Sequence, residues 1–306
     1  MNGPSSGKFR DPALVDFGVD AGGEGRRLER LGGVLVDRPL PQARCRPRLP
    51  AVWPEATAVY REQPGATRGS RHGGWEFSGC LPEPWHVAVP VGPATLALEV
   101  RPAPSGQIGI FLEQAEQWRW LARYTPPGAV VLSLFGHSGA ATLALAAAGA
   151  EVVHVDASRQ AIALARRNAA ASGLADKPIR WVCEDATAFV RRQARRGAAF
   201  SGAVLDPPSW GHGPRGEAFA IDRDLGPLLC EVAHLLGRGA AAPAGPLLVT
   251  CHSTTWHHRR LRDTLVSACT AAGLEPGAIA SGRLGCTDDA GRMLELGDYA
   301  RRTPIT

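Results

Sequence analysis

The chain contains little lysine and no long apolar run. Only two of its 34 basic residues are lysine, Lys8 and Lys177, so arginine carries almost all of the positive charge behind a formal net charge of +5. No uninterrupted apolar segment reaches the roughly 18 residues that a membrane-spanning helix needs, and the first residues lack the apolar core of a secretion signal. We therefore expect a soluble protein of the cytoplasm without a membrane partner.

The cysteines and histidines do not form a metal-binding pattern. Seven cysteines occur singly, with no Cys-x-x-Cys pair and an odd total. This favours neither a zinc ribbon nor a disulfide framework and fits a reducing compartment. Three histidines, His252, His257 and His258, have no acid or cysteine at metal-binding spacing. The sequence therefore predicts no metal site.

The stretch from residue 129 to Asp156 is the most informative one. An apolar run over 129–135 leads into Gly136 and Gly139, an Ala- and Leu-rich helix follows, and a β-branched run over 152–155 ends at Asp156. Glycine lets the backbone approach a ligand, a helix N-terminus offers N–H groups, and an acid at a strand end can accept both hydroxyls of a ribose. The unit predicts a nucleotide-type cofactor site, although dehydrogenases, methyltransferases and purely structural βαβ units all share it.

A second segment distinguishes between these alternatives. The apolar strand over 203–205 ends in Asp206-Pro207-Pro208-Ser209-Trp210. Two prolines stiffen a turn, and enzymes that methylate amino groups or bases often carry an Asp/Asn-Pro-Pro-aromatic element that holds an acid, a carbonyl and an aromatic ring toward the methyl donor. Hydride-transfer enzymes have no use for such an element, so S-adenosylmethionine is favoured over NAD. Ser209, between the second proline and the aromatic ring, departs from the amine-methylating version.

The order of the periodic segments predicts two domains after a disordered tail at 1–10. Residues 11–104 are rich in Pro, Gly and Arg and carry short apolar runs, which predicts a small β-rich domain. Over 105–306 strands alternate with helices, one of which should begin at Ser158 and stop at Gly173. This predicts an α/β, Rossmann-like, doubly wound and mostly parallel seven-stranded sheet with an antiparallel edge hairpin and ligands at the carboxyl ends of its strands.

Five segments in order resemble the class I S-adenosylmethionine-dependent methyltransferases grouped with the bacterial 23S rRNA cytosine-5 methyltransferases. The resemblance runs from about Gly106 to the end, and residues 11–104 do not obviously supply the RNA-binding module with which the rRNA enzymes usually start. It implies S-adenosyl-L-methionine as the cofactor and an RNA, such as rRNA, as the partner. The matching segments are 109–114, 132–139, 153–158, 184–186 and 206–217.

By this resemblance, the donor is held at the ends of the first three strands of the domain. Gly136, Ser138 and Gly139 would hold its methionine part, and Asp156 would accept the ribose hydroxyls. Asp185 would face the adenine amino group, with the adjacent Glu184 as the alternative acid. The remaining candidates would line or close the pocket: Ala157, Ala186, Phe111 and Gln114.

The candidates for catalysis follow the fourth and fifth strands. Asp206 with Pro207 would hold the amino or ring-nitrogen edge of the acceptor, and Trp210 either stacks on an extruded base or packs under its loop. Cys251 ends the fifth strand, in the region where the cytosine-5 enzymes place the thiolate that adds to C6 of the ring. However, when the two sequences are matched as well as possible, His252 and not Cys251 falls at the position of that catalytic cysteine. A buried free cysteine at a strand end is also common.

Two other functions stay open at this stage. The same fold could methylate a small molecule or a protein side chain, with residues 11–104 as a substrate lid and no affinity for RNA. A binding module that kept the cofactor fold but lost turnover would require damage in the glycine turn or at Asp206, and the sequence shows none. The sequence gives neither the acceptor atom nor the oligomeric state.

Overall fold

A computed structural model describes most of the chain as two compact units. The expected disordered tail at 1–10 lies outside the described residues. The first unit comprises Met1–Pro90, Ala97–Leu112 and Gly285–Glu295, and the second comprises Val91–Leu96, Glu113–Leu284 and Leu296–Thr306. The described residues are 13–62, 73–212, 218–237, 245–274 and 277–304.

The first unit is built on a five-stranded sheet. Its strands are β1 Ala13–Val19, β2 Gly25–Leu31, β3 Val34–Pro39, β4 Ala58–Glu62 and β5 Gly73–Phe77. They lie in chain order, and all neighbours are antiparallel except β3 and β4. Val15, Leu28 and Leu35 form its buried apolar centre. A 3-10 helix, Trp53–Glu55, precedes β4, and β6 His86–Val91 and β7 Ala94–Glu99 form a separate two-stranded sheet.

Arg292 explains why a segment near the C-terminus belongs to the first unit. Its guanidinium lies 2.5 Å from the carboxylate of Asp16 and 2.7 Å from that of Asp288. It also donates to the carbonyl oxygens of Phe17 and Arg46. Asp16 is fully buried, and a buried carboxylate requires such a partner. The pair therefore joins Gly285–Glu295 to residues far away in the sequence.

The second unit contains alternating strands and helices after a 3-10 helix at Leu112–Gln114. Its helices are α1 Ala115–Tyr124, α2 Ala140–Ala147, α3 Arg159–Ala171, α4 Ala186–Arg195, α5 Ile221–Gly237 and α6 His258–Ala271. Two short strands, β12 Trp210–His212 and β13 Ala218–Ala220, pair with each other. The strands of the main sheet are β8 Val130–Leu134, β9 Glu151–Asp156, β10 Ile179–Cys183, β11 Gly202–Leu205, β14 Leu247–Cys251, β15 Ala278–Thr287 and β16 Met293–Thr303.

These seven strands lie in the order β10-β9-β8-β11-β14-β16-β15. The first five are parallel, and β16 pairs with β14 in the antiparallel direction. The prediction of a doubly wound, mostly parallel sheet with an antiparallel edge hairpin is confirmed. The predicted helix limits are confirmed as well, since Ser158 caps α3 and the left-handed Gly173 follows its end.

Helices cover both faces of this sheet and bury its central strands completely. Every residue of β11 and β14 is buried, as expected for parallel strands between two layers of helices. Phe189 of α4 packs with the apolar cluster on one face, and Trp120 of α1 packs on the other. Because parallel strands end at the same edge, the residues that follow β8, β9, β11 and β14 meet there. This edge carries the candidate site.

Two negative findings apply to the part of the chain that the structure describes. None of its helices combines the length and the apolar character needed to cross a bilayer. Within the same residues, no group of three or more histidines, cysteines or acids is arranged to hold a metal ion.

Candidate functional site

The turn after β8 has left-handed backbone at three positions. The φ angle is 55° at Phe135, 43° at His137 and 84° at Gly139. This region is uncommon for residues with a side chain, and holding one there costs on the order of 1–3 kcal/mol. Because Phe135 and His137 both have this backbone conformation, the surrounding structure must impose the shape of the turn. The sequence analysis identified the glycines but missed the two strained neighbours.

Both predicted glycines lie where a side chain would not fit. A Cβ atom on Gly136 would clash with the imidazole ring of His154, and one on Gly139 would lie 2.8 Å from the Cβ atom of Ala165. Gly139 is also the N-cap of α2 and has no side chain that could occupy the first N–H groups of that helix. Such N–H groups favour a negatively charged group of a ligand.

Two buried polar side chains that the sequence analysis did not single out support this turn. Asn168 of α3 donates to the carbonyl oxygen of Ser138 at 2.8 Å. Nδ1 of His154 lies 2.8 Å from the hydroxyl of Thr142, and burial lowers the pKa of His154 to about 3, so the ring stays neutral. A polar residue within an apolar strand or on the buried side of a helix is the signal that could have identified both.

Asp156 connects the turn after β8 with the turn after β9. Its Oδ2 accepts the N–H of His137 at 2.9 Å, and its Oδ1 accepts the N–H of Ser158 at 2.8 Å. Each carboxylate oxygen can accept a further hydrogen bond, and the side chain is only partly buried. Asp156 is therefore fixed in position and still able to accept hydroxyl groups.

The two adjacent acids after β10 have different partners. Oδ1 of Asp185 accepts the N–H of Ala188 at 2.8 Å and caps α4. Both oxygens of Glu184 accept hydrogen bonds from the guanidinium of Arg192. Because Glu184 already pairs with Arg192 of α4, the contacts favour Asp185 of the two alternatives.

The apolar candidates for the pocket wall fall into two groups. Ala157 is partly buried and follows Asp156, and Ala186 is buried at the start of α4. Both residues thus follow the acids predicted to bind the donor. Phe111 belongs to the first unit, directly before the 3-10 helix, and its role stays a prediction.

Gln114 contacts Asp206, and its expected part in closing the donor pocket stays a prediction. Its Nε2 donates to Oδ2 of Asp206 at 2.8 Å, while the hydroxyl of Thr250 donates to Oδ1 at 2.6 Å. The parallel register that places Leu205 beside Val249 puts Asp206 and Thr250 side by side. One donor on each oxygen therefore fixes the Asp206 carboxylate at the end of β11.

His252 lies against the same groups. Its Nε2 is 3.3 Å from Nε2 of Gln114 and 3.9 Å from Oδ1 of Asp206. Its Nδ1 is 3.0 Å from the carbonyl oxygen of Leu296 and 3.7 Å from Oε1 of the buried Glu113. We name these side chains the Asp206 cluster: Glu113, Gln114, Asp206, Thr250 and His252. The sequence analysis considered His252 only as a metal ligand or as the residue at the position of the cytosine-5 enzymes' cysteine. It missed Glu113 and Thr250.

The residues after Asp206 form a turn rich in hydrogen-bond acceptors. Neither Pro207 nor Pro208 has a backbone N–H, so this part of the turn presents carbonyl oxygens without competing donors. Pro207 is buried and anchors the turn. Trp210 begins β12 with 61% of its surface exposed. This exposure favours an accessible ring over the alternative of a ring packed under the loop.

Cys251 lacks the surroundings of a catalytic thiolate. Its side chain is fully buried, and Sγ accepts the N–H of Ser253 at 3.3 Å. Burial, with a smaller contribution from nearby carboxylates of which Asp206 is the first, raises the pKa of the Cys251 thiol to about 11. The thiol is therefore protonated and inaccessible near neutral pH. These surroundings disfavour Cys251 as a nucleophile. Among the other described cysteines, none lies in the turn directly after β11 or β14.

Comparisons with known proteins agree with this geometry. A family model described as a methyltransferase domain matches residues 135–206, from the turn after β8 to Asp206. A solved S-adenosylmethionine-dependent methyltransferase from Agrobacterium tumefaciens is 32% identical, with a TM-score of 0.81, over 98% of this chain and 93% of that chain. This chain belongs to the S-adenosylmethionine-dependent methyltransferases. The predicted family and cofactor are confirmed.

Curated relatives of this methyltransferase match over shorter segments. The ribosomal RNA large subunit methyltransferase I of Aeromonas hydrophila is 35% identical over 103 residues, which are 33% of this chain and 26% of that protein. The 23S rRNA (uracil(1939)-C(5))-methyltransferase of Acidithiobacillus ferrooxidans is 34% identical over 131 residues, which are 42% of this chain and 29% of that protein. The chain thus spans less than half the length of these curated relatives.

Substitution Gly136→Ala in this methyltransferase should weaken donor binding. The added methyl group must displace the His154 ring or the turn. If this overpacking costs donor binding about 1–3 kcal/mol, the Kd of S-adenosylmethionine rises roughly fivefold to 150-fold. Titration calorimetry measures this. A matched control is Gly226→Ala in α5, where the new Cβ meets only the Thr264 methyl group at 3.9 Å. Equal affinities in both variants would contradict the assigned close approach.

Substitution Cys251→Ser should leave methyl transfer measurable, within about tenfold of the unchanged chain, because a buried thiol that stays protonated is not the nucleophile. Steady-state transfer of labelled methyl groups and the melting temperature are the two measurements. Complete loss of transfer at an unchanged melting temperature would instead support covalent catalysis by this thiol.

Proposed function

We propose that this methyltransferase transfers a methyl group from S-adenosylmethionine to a base in RNA. The observation that carries the proposal is the Asp206 carboxylate, held by one donor on each oxygen and followed by an acceptor-rich proline turn and the exposed Trp210. This arrangement suits a flat acceptor that has N–H groups on its edge and an aromatic face. A nucleobase has both features.

The donor would lie along the turns after β8, β9 and β10. Gly136, Ser138 and Gly139 would hold the methionine part, where the start of α2 favours a carboxylate. Asp156 would accept the ribose hydroxyls, and Asp185 would accept the adenine amino group through the oxygen that does not cap α4. S-adenosylmethionine supplies a methyl group bound to a positively charged sulfur.

The acceptor would lie between Asp206 and Trp210. Asp206 would accept an N–H of the base and fix its orientation, and correct orientation can lower a barrier by about 7–11 kcal/mol in well-aligned systems. Trp210 would stack on the base, an interaction worth about 1–3 kcal/mol that tolerates any base. A base must leave its helix or loop to reach such a site.

Two further observations support RNA over other acceptors. The chain carries a formal net charge of +5, which favours a polyanion. Its curated relatives are named as ribosomal RNA methyltransferases, although they extend well beyond this chain. An RNA substrate of this kind would place the protein in the cytoplasm.

The test follows a labelled methyl group. Purified chain is incubated with tritium-labelled S-adenosylmethionine and with RNA, protein and small-metabolite fractions from a strain that lacks the gene. We expect label in RNA that is released by ribonuclease and resists protease. Label confined to protein or metabolites would overturn the RNA assignment and leave the family standing. No label in any fraction, with the donor still bound, would overturn the activity.

A further inference from the structure

We propose that Arg260 binds a phosphate of the RNA backbone beside the base that is methylated. This inference rests on the proposed function and deepens it, because it places part of the RNA on the first turn of α6. Three properties of Arg260 carry it: the contacts that fix its guanidinium, the donors that these contacts leave over, and its place beside the acceptor residues.

The guanidinium of Arg260 is held on one face and along one edge. It lies over the buried ring of Trp256, with 4.0 Å between Cζ and the ring centroid. Nη1 donates to Oδ1 of Asp222 at 3.2 Å and to the carbonyl oxygen of Thr255 at 3.0 Å. Because the side chain is already stacked and hydrogen-bonded, it loses little further freedom when it binds a ligand.

The same contacts leave two donors of Arg260 for a ligand. Within the described residues, Nε and Nη2 have no hydrogen-bond partner, and the side chain is 41% exposed. Arg292 shows the purely structural arrangement: it too lies over an aromatic ring, 4.2 Å from the centroid of Phe17, but all three of its nitrogens donate to protein acceptors. Nε and Nη2 together form the planar fork with which arginine binds two oxygens of a phosphate.

Arg260 lies on the acceptor side of the site. The turn after β14 supplies the ring and the carbonyl oxygen that hold it. Asp222, in the first turn of α5, follows the β12–β13 hairpin by two residues, and that hairpin begins with Trp210, whose cross-strand partner is Ala220. Arg260 therefore connects the loops that follow β11 and β14. We expect the backbone of a nucleotide stacked on Trp210 to run past this surface.

The charge of this surface suits a polyanion. Arg259 is exposed and has no partner among the described residues, and the first turn of α6 contains no acid, although acids are favoured at the start of a helix. Asp222 offsets part of the charge of Arg260, but its carboxylate also accepts from Nε1 of Trp256 at 2.8 Å and from the hydroxyl of Thr255 at 3.3 Å. The two arginines therefore give a positive surface to which phosphates bind.

Binding of RNA at different salt concentrations tests the contact. The probe is a fluorescein-labelled single-stranded RNA oligonucleotide of mixed sequence, because a phosphate contact does not depend on the base. Arg260→Gln should raise the Kd of this probe roughly tenfold at low salt. It should also reduce the slope of log Kd against log salt concentration by about 0.7, the value for one phosphate contact on a single strand. Arg260→Lys should keep the slope and recover only part of the affinity, because lysine has the charge but not the planar fork.

Arg262→Gln is the matched control. Arg262 lies on the same helix, about 200° around its axis from Arg260, is 51% exposed and pairs with Asp263. Its loss should change neither the Kd of the probe nor the slope, and all three variants should bind S-adenosylhomocysteine as the unchanged chain does. Equal slopes for Arg260→Gln and Arg262→Gln would overturn the inference. An Arg260→Lys slope as low as that of Arg260→Gln would overturn it too, as would an unchanged chain that does not bind the probe.

The transfer assay separates this inference from the proposed function. With the RNA fraction as acceptor, Arg260→Gln should raise KM and leave kcat within about twofold, because the contact holds the RNA equally before and during transfer. A fall in kcat with an unchanged KM would overturn the inference while RNA methylation stands. If the unchanged chain binds the probe but labels no RNA, the proposed function fails, and the salt slopes still decide whether Arg260 contacts a phosphate.

Discussion

Asp206→Ala should reduce methyl transfer to RNA by at least about a thousandfold, because it removes the group that orients the acceptor, and misplacement of the acceptor by about 1 Å already costs on the order of a hundredfold. The loss should exceed that figure because the carboxylate also organises its neighbours. Gln114 and Thr250 each donate to one of its oxygens, so both lose their acceptor together.

Donor binding should survive this substitution. The residues proposed to hold the methionine, ribose and adenine parts of the donor follow β8, β9 and β10, and none of their hydrogen bonds described above involves Asp206. Calorimetry should therefore give an S-adenosylmethionine Kd close to that of the unchanged chain. Asp206→Asn serves as the matched variant, since it keeps one acceptor oxygen and loses the charge, and we expect a smaller loss of transfer. Loss of donor binding together with transfer would show that the division between donor and acceptor residues is wrong.

Asp156→Ala should have the opposite effect to Asp206→Ala, because it should weaken binding of the donor more than it slows methyl transfer by the donor-bound chain. Its carboxylate would accept two ribose hydroxyls, and hydrogen bonds to a charged group contribute about 1.5–3 kcal/mol each. The substitution also removes the acceptor for the N–H groups of His137 and Ser158, which hold the two turns together. We expect the Kd of S-adenosylmethionine to rise by roughly 10²–10⁴-fold.

Equilibrium binding of S-adenosylhomocysteine, measured by calorimetry, checks this without any acceptor. Asp176→Ala is the matched control, because that acid is exposed on the loop before β10. At saturating donor, transfer by Asp156→Ala should recover toward that of the unchanged chain. An affinity equal to that of Asp176→Ala would remove Asp156 from the donor site.

The sequence predicts the sheet and the ends of its strands well, because both depend on local patterns. Apolar runs that end in Asp156 or Asp206 mark buried parallel strands and their carboxyl ends, and the helix signals at Ser158 and Gly173 are equally local. Glycine at 136 and 139 is required by close packing against β9 and α3, which a sequence pattern can only suggest.

The acceptor side is less predictable, since tertiary packing assembles it from distant segments. Gln114 and His252 are 138 positions apart, and neither matches a motif that includes the other. The pattern at the end of β14 pointed to Cys251, whereas the fold buries the thiol and exposes the neighbouring imidazole. Likewise, no periodicity reveals that Arg292 pairs with Asp16.

A crystal structure of the chain with bound S-adenosylhomocysteine tests the central claim most directly. The account predicts that the ribose hydroxyls lie within hydrogen-bond distance of the Asp156 carboxylate, roughly 2.6–3.2 Å, and that the sulfur faces Asp206. It also predicts the amino acid part of the ligand at Gly136 and Gly139. A ligand whose ribose lies away from Asp156, or whose sulfur points away from the Asp206 cluster, would contradict the account.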